Sequence, residues 1–187
     1  MNPTAEQIQK INHFSKVPIE LCVKIANAVN IEECGPQERL LKEGDTGDTM
    51  VLVFQGQVEV TKNMMVNTPS GIATSKKPII RLETTDPAPS SKPITEPTVF
   101  VVQAPAFGIG EFSLVLDNAI RTANVESTTS LKYGILDLEG FTNIVKENPE
   151  IGGSVYFEVA KAAVNNLATA SADISNLTQA FFFALTR

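Results

Sequence analysis

The sequence predicts an α+β chain built on an antiparallel β barrel or jelly roll, entered through short helices and left through one long helix. Three observations predict it. From residue 30 onward, short runs of strand-forming residues alternate with Gly- and Asp-rich turns, the rhythm of an antiparallel sheet that closes on itself. Ahead of them, apolar residues recur at helical spacing. At the far end, Val164, Leu167, Ser171, Ile174, Thr178, Phe181 and Leu185 alternate at spacings of three and four, a heptad seam along one helix.

Taken in order, residues 4–14 place Ile8, Ile11 and Phe14 on one helical face, with Thr4 as N-cap. Residues 15–18 break that helix, and Pro18 suits the first turn of the next, whose apolar face runs over residues 18–29. Strand-like runs follow at residues 31–34 and 39–44, separated by the turn Gly35-Pro36. Asp45-Thr46-Gly47-Asp48 is turn chemistry, because aspartate bonds its own backbone and glycine accepts positive φ. Met50-Val51-Leu52-Val53-Phe54 is a continuous apolar run and reads as a buried strand, turned at Gln55-Gly56 into the alternating run at residues 57–61. Gly44 and Gly56 read as structural turn glycines.

Residues 63–98 read differently. Pro69, Pro78, Pro87, Pro89 and Pro93, with many Ser and Thr, mark a long loop, with residues 86–93 exposed and mobile. Inside it, residues 78–83 form an extra or a displaced strand. Val99-Phe100-Val101-Val102 restores the sheet. Two further strands are expected at residues 123–126 and 130–136, then a short helix at residues 139–145. Asn148 as N-cap and Pro149 at the first helical position start the last helix, where Gly152 and Gly153 each cost about 1 kcal/mol relative to alanine.

Composition narrows the function. At 187 residues the chain is one domain, with a hydrophobic fraction of 43%, ample for a core. A net charge of −6 argues against direct nucleic-acid binding, since phosphate backbones call for basic faces. No apolar window is long enough to span a membrane, the N-terminus does not read as a signal peptide, and the cytoplasm is the expected compartment. Cys22 and Cys34 match no metal spacing and read as buried core thiols, with a disulfide as the alternative. His13 is the sole histidine. That makes metal or acid–base catalysis on this scaffold an unfavoured reading, and His13 itself reads as a surface or packing residue. No catalytic residue and no metal site are expected.

The binding chemistry concentrates at residues 107–125. Gly108 and Gly110 follow a β-rich run and precede a short apolar segment, which reads as strand, tight turn, one or two helical turns, loop and strand. Glycine there lets the backbone approach a ligand, and a helix beginning at Gly110 offers free N–H groups to a phosphate. Arg121 supplies a planar fork of donors for phosphate oxygens. Glu111 cannot serve a phosphate but can accept from sugar hydroxyls. An acid and an arginine ten residues apart therefore suit a ligand with both a ribose and a phosphate.

Gly110-Glu111-Phe112-Ser113-Leu114 followed by Arg121-Thr122-Ala123 resembles the phosphate-binding cassette of cyclic nucleotide-binding domains, with spacing most like the sensor domain of the bacterial catabolite activator. Phe14…Val17-Pro18 and the run from Glu43 through Gly56 to Val58 resemble the opening of the same family. The resemblance implies a double-stranded β-helix, that is, a jelly roll, over residues 30–137 with an insertion at 63–98, a helical lead-in at 4–29 and C-terminal helices at 138–187. It implies that Glu111 binds the ribose 2′-hydroxyl, that Arg121 binds the cyclic phosphate, and that the Gly110 and Phe112 amides assist. Ser113 and Thr122 join the implied ligand set. Alignment of the last helix brings Ser171 to the base. The ligand implied is cAMP, or less readily cGMP, without a metal. The family's matching helix pairs two subunits, so a homodimer is expected. The chain resembles the sensor half alone, without a DNA-reading module, and its downstream partner is not identified by the resemblance. The alternative is a degenerate fold that has lost the ligand and serves as a dimerisation or interaction domain.

Overall fold

A computed structural model describes residues 1–69, 71–85 and 100–185. Helix α1 (Ala5–Gln9) carries the expected Thr4 cap in its reciprocal form: Thr4 Oγ1 accepts from the Gln7 amide at 3.2 Å, and Gln7 Oε1 accepts from the Thr4 amide at 2.8 Å. The helix is shorter than its apolar spacing predicts. It ends before Ile11, whose backbone bridges to Ala106, and a separate 3₁₀ turn follows at Asn12–Phe14. Ile8, Ile11 and Phe14 are nonetheless all buried. Pro18 then caps α2 (Ile19–Ala28).

Eleven strands follow among the described residues: β1 (Ile31–Cys34), β2 (Arg39–Leu41), β3 (Thr46–Gly47), β4 (Thr49–Gln55), β5 (Gln57–Thr68), β6 (Gly71–Thr84), β7 (Phe100–Ala104), β8 (Phe107–Ile109), β9 (Ala119–Ile120), β10 (Asn124–Ser127) and β11 (Leu131–Asp137). They form a sheet β1-β11-β4-β8, a sheet β2-β10-β5-β6-β7 and a small pair β3-β9. The two larger sheets face each other as a jelly roll.

Strand β4 shows why the sheet core reads as it does. Its period-two alternation sends Met50, Leu52 and Phe54 into a cluster with the N-terminal helices and Phe141, Ile151 and Val155. Val51 and Val53 point the other way, onto Leu41, Val58, Phe107, Val125 and Leu131 inside the barrel. Both faces are covered, hence the unbroken apolar run. The turn at Gln55-Gly56 is a corner rather than a hairpin, because β4 pairs with β11 and β8 while β5 pairs with β10 and β6.

The reading of residues 63–98 as loop is corrected over its first part. Strands β5 and β6 make one long hairpin, in register from Gln57↔Glu83 to Thr68↔Gly71. Val66, Thr68, Ile72, Thr74, Ile79 and Ile80 supply the β-branched residues that strands favour. Pro78 is tolerated because the register shifts beside it, between Val60 and Thr61, and a bulge spares a ladder donor. The sheets are not wholly antiparallel either, since β7 runs parallel to β6. The expectation for residues 86–93 lies outside the described residues.

Asp137 caps α3 (Leu138–Glu147) by accepting from the Gly140 amide. Asn148 turns its side-chain amide back to the Ile144 carbonyl at 3.2 Å, so it closes α3 instead of capping the next helix through its side chain. Helix α4 (Pro149–Leu185) runs 37 residues, roughly 55 Å at the usual rise. Ile151, Val155 and Val159 bury its root against the core and the 3₁₀ turn at Asn12–Phe14. Beyond them the helix leaves the barrel: Val164, Leu167, Ile174, Phe181 and Leu185 are all more than half exposed.

Candidate ligand-binding site

A cavity of about 670 Å³ opens between the barrel and the root of α4. One wall is the segment from β8 to Val125. Gly110 takes φ +82°, and a single 3₁₀ turn follows at Glu111–Leu114. This is shorter than the one or two helical turns expected. Its first i→i+3 bond runs from the Ser113 amide to the Gly110 carbonyl at 3.0 Å, so the Glu111 and Phe112 amides precede the bonded turn. Glu111 is half-buried, lines the cavity, and makes no hydrogen bond or ion pair among the described residues.

Arg121 lies on the same wall and is only 7% exposed. Its backbone is fixed by the turn at Gly44-Asp45: the Arg121 amide donates to the Asp45 carbonyl at 2.8 Å, and its carbonyl accepts from the Gly44 amide at 2.9 Å. Nη1 donates to Ser113 Oγ at 2.7 Å, and Nη2 donates to the Thr49 carbonyl and Oγ1 at 2.8 and 2.9 Å. Two glycines make room for it. A Cβ at Gly47 would come within 2.3 Å of Nη2, and one at Gly110 within 2.5 Å of Nη1. No carboxylate lies within ion-pair distance of Arg121 among the described residues. Burial pushes its pKa down from its ordinary high value, while Asp48 and Glu111 push it back up. A guanidinium stays charged under such shifts, so the site holds a buried cation on which, among the described residues, Asp48 and Glu111 act only from beyond ion-pair distance, an arrangement that carries a desolvation cost.

Gly110, Glu111, Phe112, Ser113, Arg121 and Thr122 all line this one cavity. Ser113 is 1% exposed, and its hydroxyl holds the Arg121 side chain. Thr122 shares the cavity with Arg121 because residues 121–123 leave the ladder between β9 and β10, which breaks the strand alternation that would separate them. Ser171 is not brought there. It sits on the exposed length of α4, its carbonyl accepting from Ser175 Oγ. The helix contributes Glu158, Lys161, Ala162, Asn165 and Asn166 instead. His13, read from sequence as a surface or packing residue, is half-buried and lines the cavity from the lead-in. Gly47 was read only as part of a turn, and Thr49 was given no role. Their partner lies 72 residues from Thr49, and no local pattern announces it. Lys62, Ile80 and Leu82 close the opposite wall from the hairpin that composition suggested was loop.

No family model matches the sequence, and no curated protein matches it. Solved structures do. The chain is similar to the N-terminal domain of a transcriptional regulator from Streptomyces coelicolor A3(2), at 19% identity and a TM-score of 0.60, over 88% of this chain and 94% of that one. It is similar to a cyclic nucleotide-binding domain from Methylobacillus flagellatus, at 19% identity and a TM-score of 0.57, over 88% and 79%. The chain has the cyclic nucleotide-binding domain fold. It also matches the Thermus thermophilus catabolite activator protein at 16% identity and a TM-score of 0.61, and spans 63% of that chain. Within this fold, among the described residues, no group of three or more His, Cys, Asp or Glu could hold a metal ion. No described helix is long and apolar enough to cross a membrane.

Proposed function

We propose that this chain is a regulatory module that binds a cyclic nucleotide, with cAMP the first ligand and cGMP the second. The observation that carries the proposal is the pair on one cavity wall: Arg121, a buried cation with no acid partner, beside Glu111, an acid with no hydrogen bond among the described residues. Arg121 uses three donors on Ser113 and Thr49. Of the five a guanidinium carries, two remain for phosphate oxygens. Glu111 accepts from the ribose 2′-hydroxyl, and the Gly110–Phe112 backbone borders the phosphate. Thr122 lines the mouth.

In this reading helix α4 is the route outward. Helix α4 meets the cavity at residues 158–166 and then carries its uncovered apolar seam away from the barrel. A second copy covers that seam, making a homodimer through α4, and in that dimer Ser171 approaches the base. A partner protein reads the change. We assign no chemical reaction to the site.

A second reading has one observation in its favour. Arg121 is already held by Ser113 and Thr49 without any ligand, so it could serve as a strut in a fold that only dimerises. Titration calorimetry with cAMP and with cGMP separates the two. Saturable binding at one site per chain supports the module. Absence of heat with both, together with an unchanged melting temperature at millimolar ligand, supports the strut.

A further inference from the structure

His13 stands outside the cassette, on a different element. The 3₁₀ turn that carries it is pinned by buried Ile11 and Phe14 on either side and packs against α4 and β8. One ring nitrogen, Nδ1, is buried without a hydrogen-bond partner. It faces the backbone of Gly108, where an added Cβ would lie 3.3 Å from it. His13 lines the cavity, and Nε2, unlike Nδ1, is not among the buried unpartnered atoms, which makes it the nitrogen available to a ligand.

The surroundings fix the proton. Burial pushes the His13 pKa down, while Glu111 from the cassette turn and Glu158 from α4 push it back up. Glu158 is itself paired with Lys161 at 2.9 Å, and β8 brings no charged group to the ring. The net shift is downward, so the imidazole is neutral at neutral pH. A neutral ring carries one N–H. A buried N–H without an acceptor is rarer than a buried lone pair without a donor. The proton therefore sits on Nε2.

We infer that His13 is a ligand-reading residue, its Nε2–H donating to the same sugar hydroxyl whose proton Glu111 accepts. A hydroxyl is both donor and acceptor. An acid alone satisfies only half of it. Glu111 and His13 together satisfy both halves and so recognise a hydroxyl as a hydroxyl. The inference rests on the cyclic-nucleotide reading and extends it from the cassette to the lead-in, which also contacts the root of α4.

The test compares cAMP with 2′-deoxy-cAMP on the full chain and on three variants. Glutamine can place an amide N–H where Nε2 sits; asparagine places its amide nearer Nδ1. The wild type and His13→Gln are expected to prefer the ribo form equally. His13→Ala and His13→Asn should lose roughly two- to tenfold of that preference, the worth of one hydrogen bond. Equal ribo-to-deoxy ratios in all four proteins overturn the inference while leaving the cyclic-nucleotide reading intact. A wild type that binds neither ligand overturns both. Because His13 is the sole histidine, imidazole nitrogen resonances of the unmutated chain give a check that no folding defect can confuse. The Nε2–H tautomer should be present and should shift on saturation with cAMP, and less with the deoxy ligand. The Nδ1–H tautomer, or an unmoved ring, overturns the inference.

Discussion

Replacing Arg121 by methionine separates a binding residue from a strut. Arg121 is 7% exposed and has no acid within ion-pair distance among the described residues. Burying an ion costs several kcal/mol, and here only three hydrogen bonds offset it. Each charge-assisted bond is worth about 1.5–3 kcal/mol, so the two sides are of similar size. Methionine fills comparable volume without the charge, and leaves Ser113 Oγ and the Thr49 carbonyl to re-pair within the cavity. Buried ionic groups replaced by apolar ones of like volume are often neutral or stabilising. Arg121→Met should therefore move urea-unfolding stability by no more than about 2 kcal/mol in either direction. Ligand affinity should behave quite differently. Removing one side of a buried ion contact costs about 2–5 kcal/mol, which is roughly thirtyfold to several thousandfold in dissociation constant. The measurements are a urea titration and calorimetry with cAMP on the same preparation. Unchanged affinity refutes Arg121 as the phosphate ligand. A loss of stability well beyond 4 kcal/mol shows that it is a strut, and the site assignment fails with it.

The remaining predictions are more local. 2′-Deoxy-cAMP should bind wild type roughly tenfold or more weakly than cAMP, because Glu111 is left without its hydroxyl; calorimetry that finds the two equal removes Glu111 from the site. Ile174→Glu puts a charge in the middle of the exposed seam and should convert a dimer to a folded monomer by light scattering, with circular dichroism unchanged over the barrel strands; a wild type already monomeric at micromolar concentration refutes dimerisation through α4. Burial pushes the Cys22 thiol up to about 11 from 9.0. Raised in the fold, this group contributes stability that is fully present below pH 9 and is lost as pH climbs towards 11. Urea-unfolding stability should thus fall more steeply between those values in wild type than in Cys22→Val.

That Gly110, Glu111 and Arg121 share a cavity wall was legible because they lie close together in the chain. Gly110, Glu111 and Arg121 fall within one turn and one loop, so spacing alone brings them onto one wall. What completes the wall is distant. Thr49 and Gly47 cradle the guanidinium from β4 and β3, and nothing in a Gly47 turn or a Thr49 strand start signals that role. The hairpin was missed for a compositional reason. Its Ser, Thr, Lys and Pro read as loop, yet a ladder paired along its length except at the bulge beside Pro78 makes strand of them. The reach of the last helix within one chain was illegible for a third reason. Heptad spacing locates a seam, but it says nothing about where along its length the helix leaves the barrel. That point is set by Val159, the last buried residue of α4. Asn165 therefore reaches the cavity while Ser171, six residues on and about 9 Å further along the axis, does not.

The place where α4 leaves the barrel also bears on how a ligand could be felt at a distance. Only the root is packed, through Ile151, Val155 and Val159. The outer length presents apolar side chains to solvent, and those gain free energy only when a second surface covers them. Residues 158–166 sit between these two regimes and line the cavity. On the proposed reading, a ligand seated on Arg121 and Glu111 adds contacts to that middle section of its own helix. By linkage it can shift the helix only as far as those contacts differ between its positions. Substitutions at Asn165 or Asn166 should then alter how strongly ligand and self-association depend on each other, while substitutions beyond residue 174 should alter association alone. Measuring dimerisation with and without saturating cAMP in Asn165→Ala and Ile174→Glu tests that division. If Asn165→Ala weakens association equally with and without ligand, the cavity section is part of the dimer contact and not its link to the ligand.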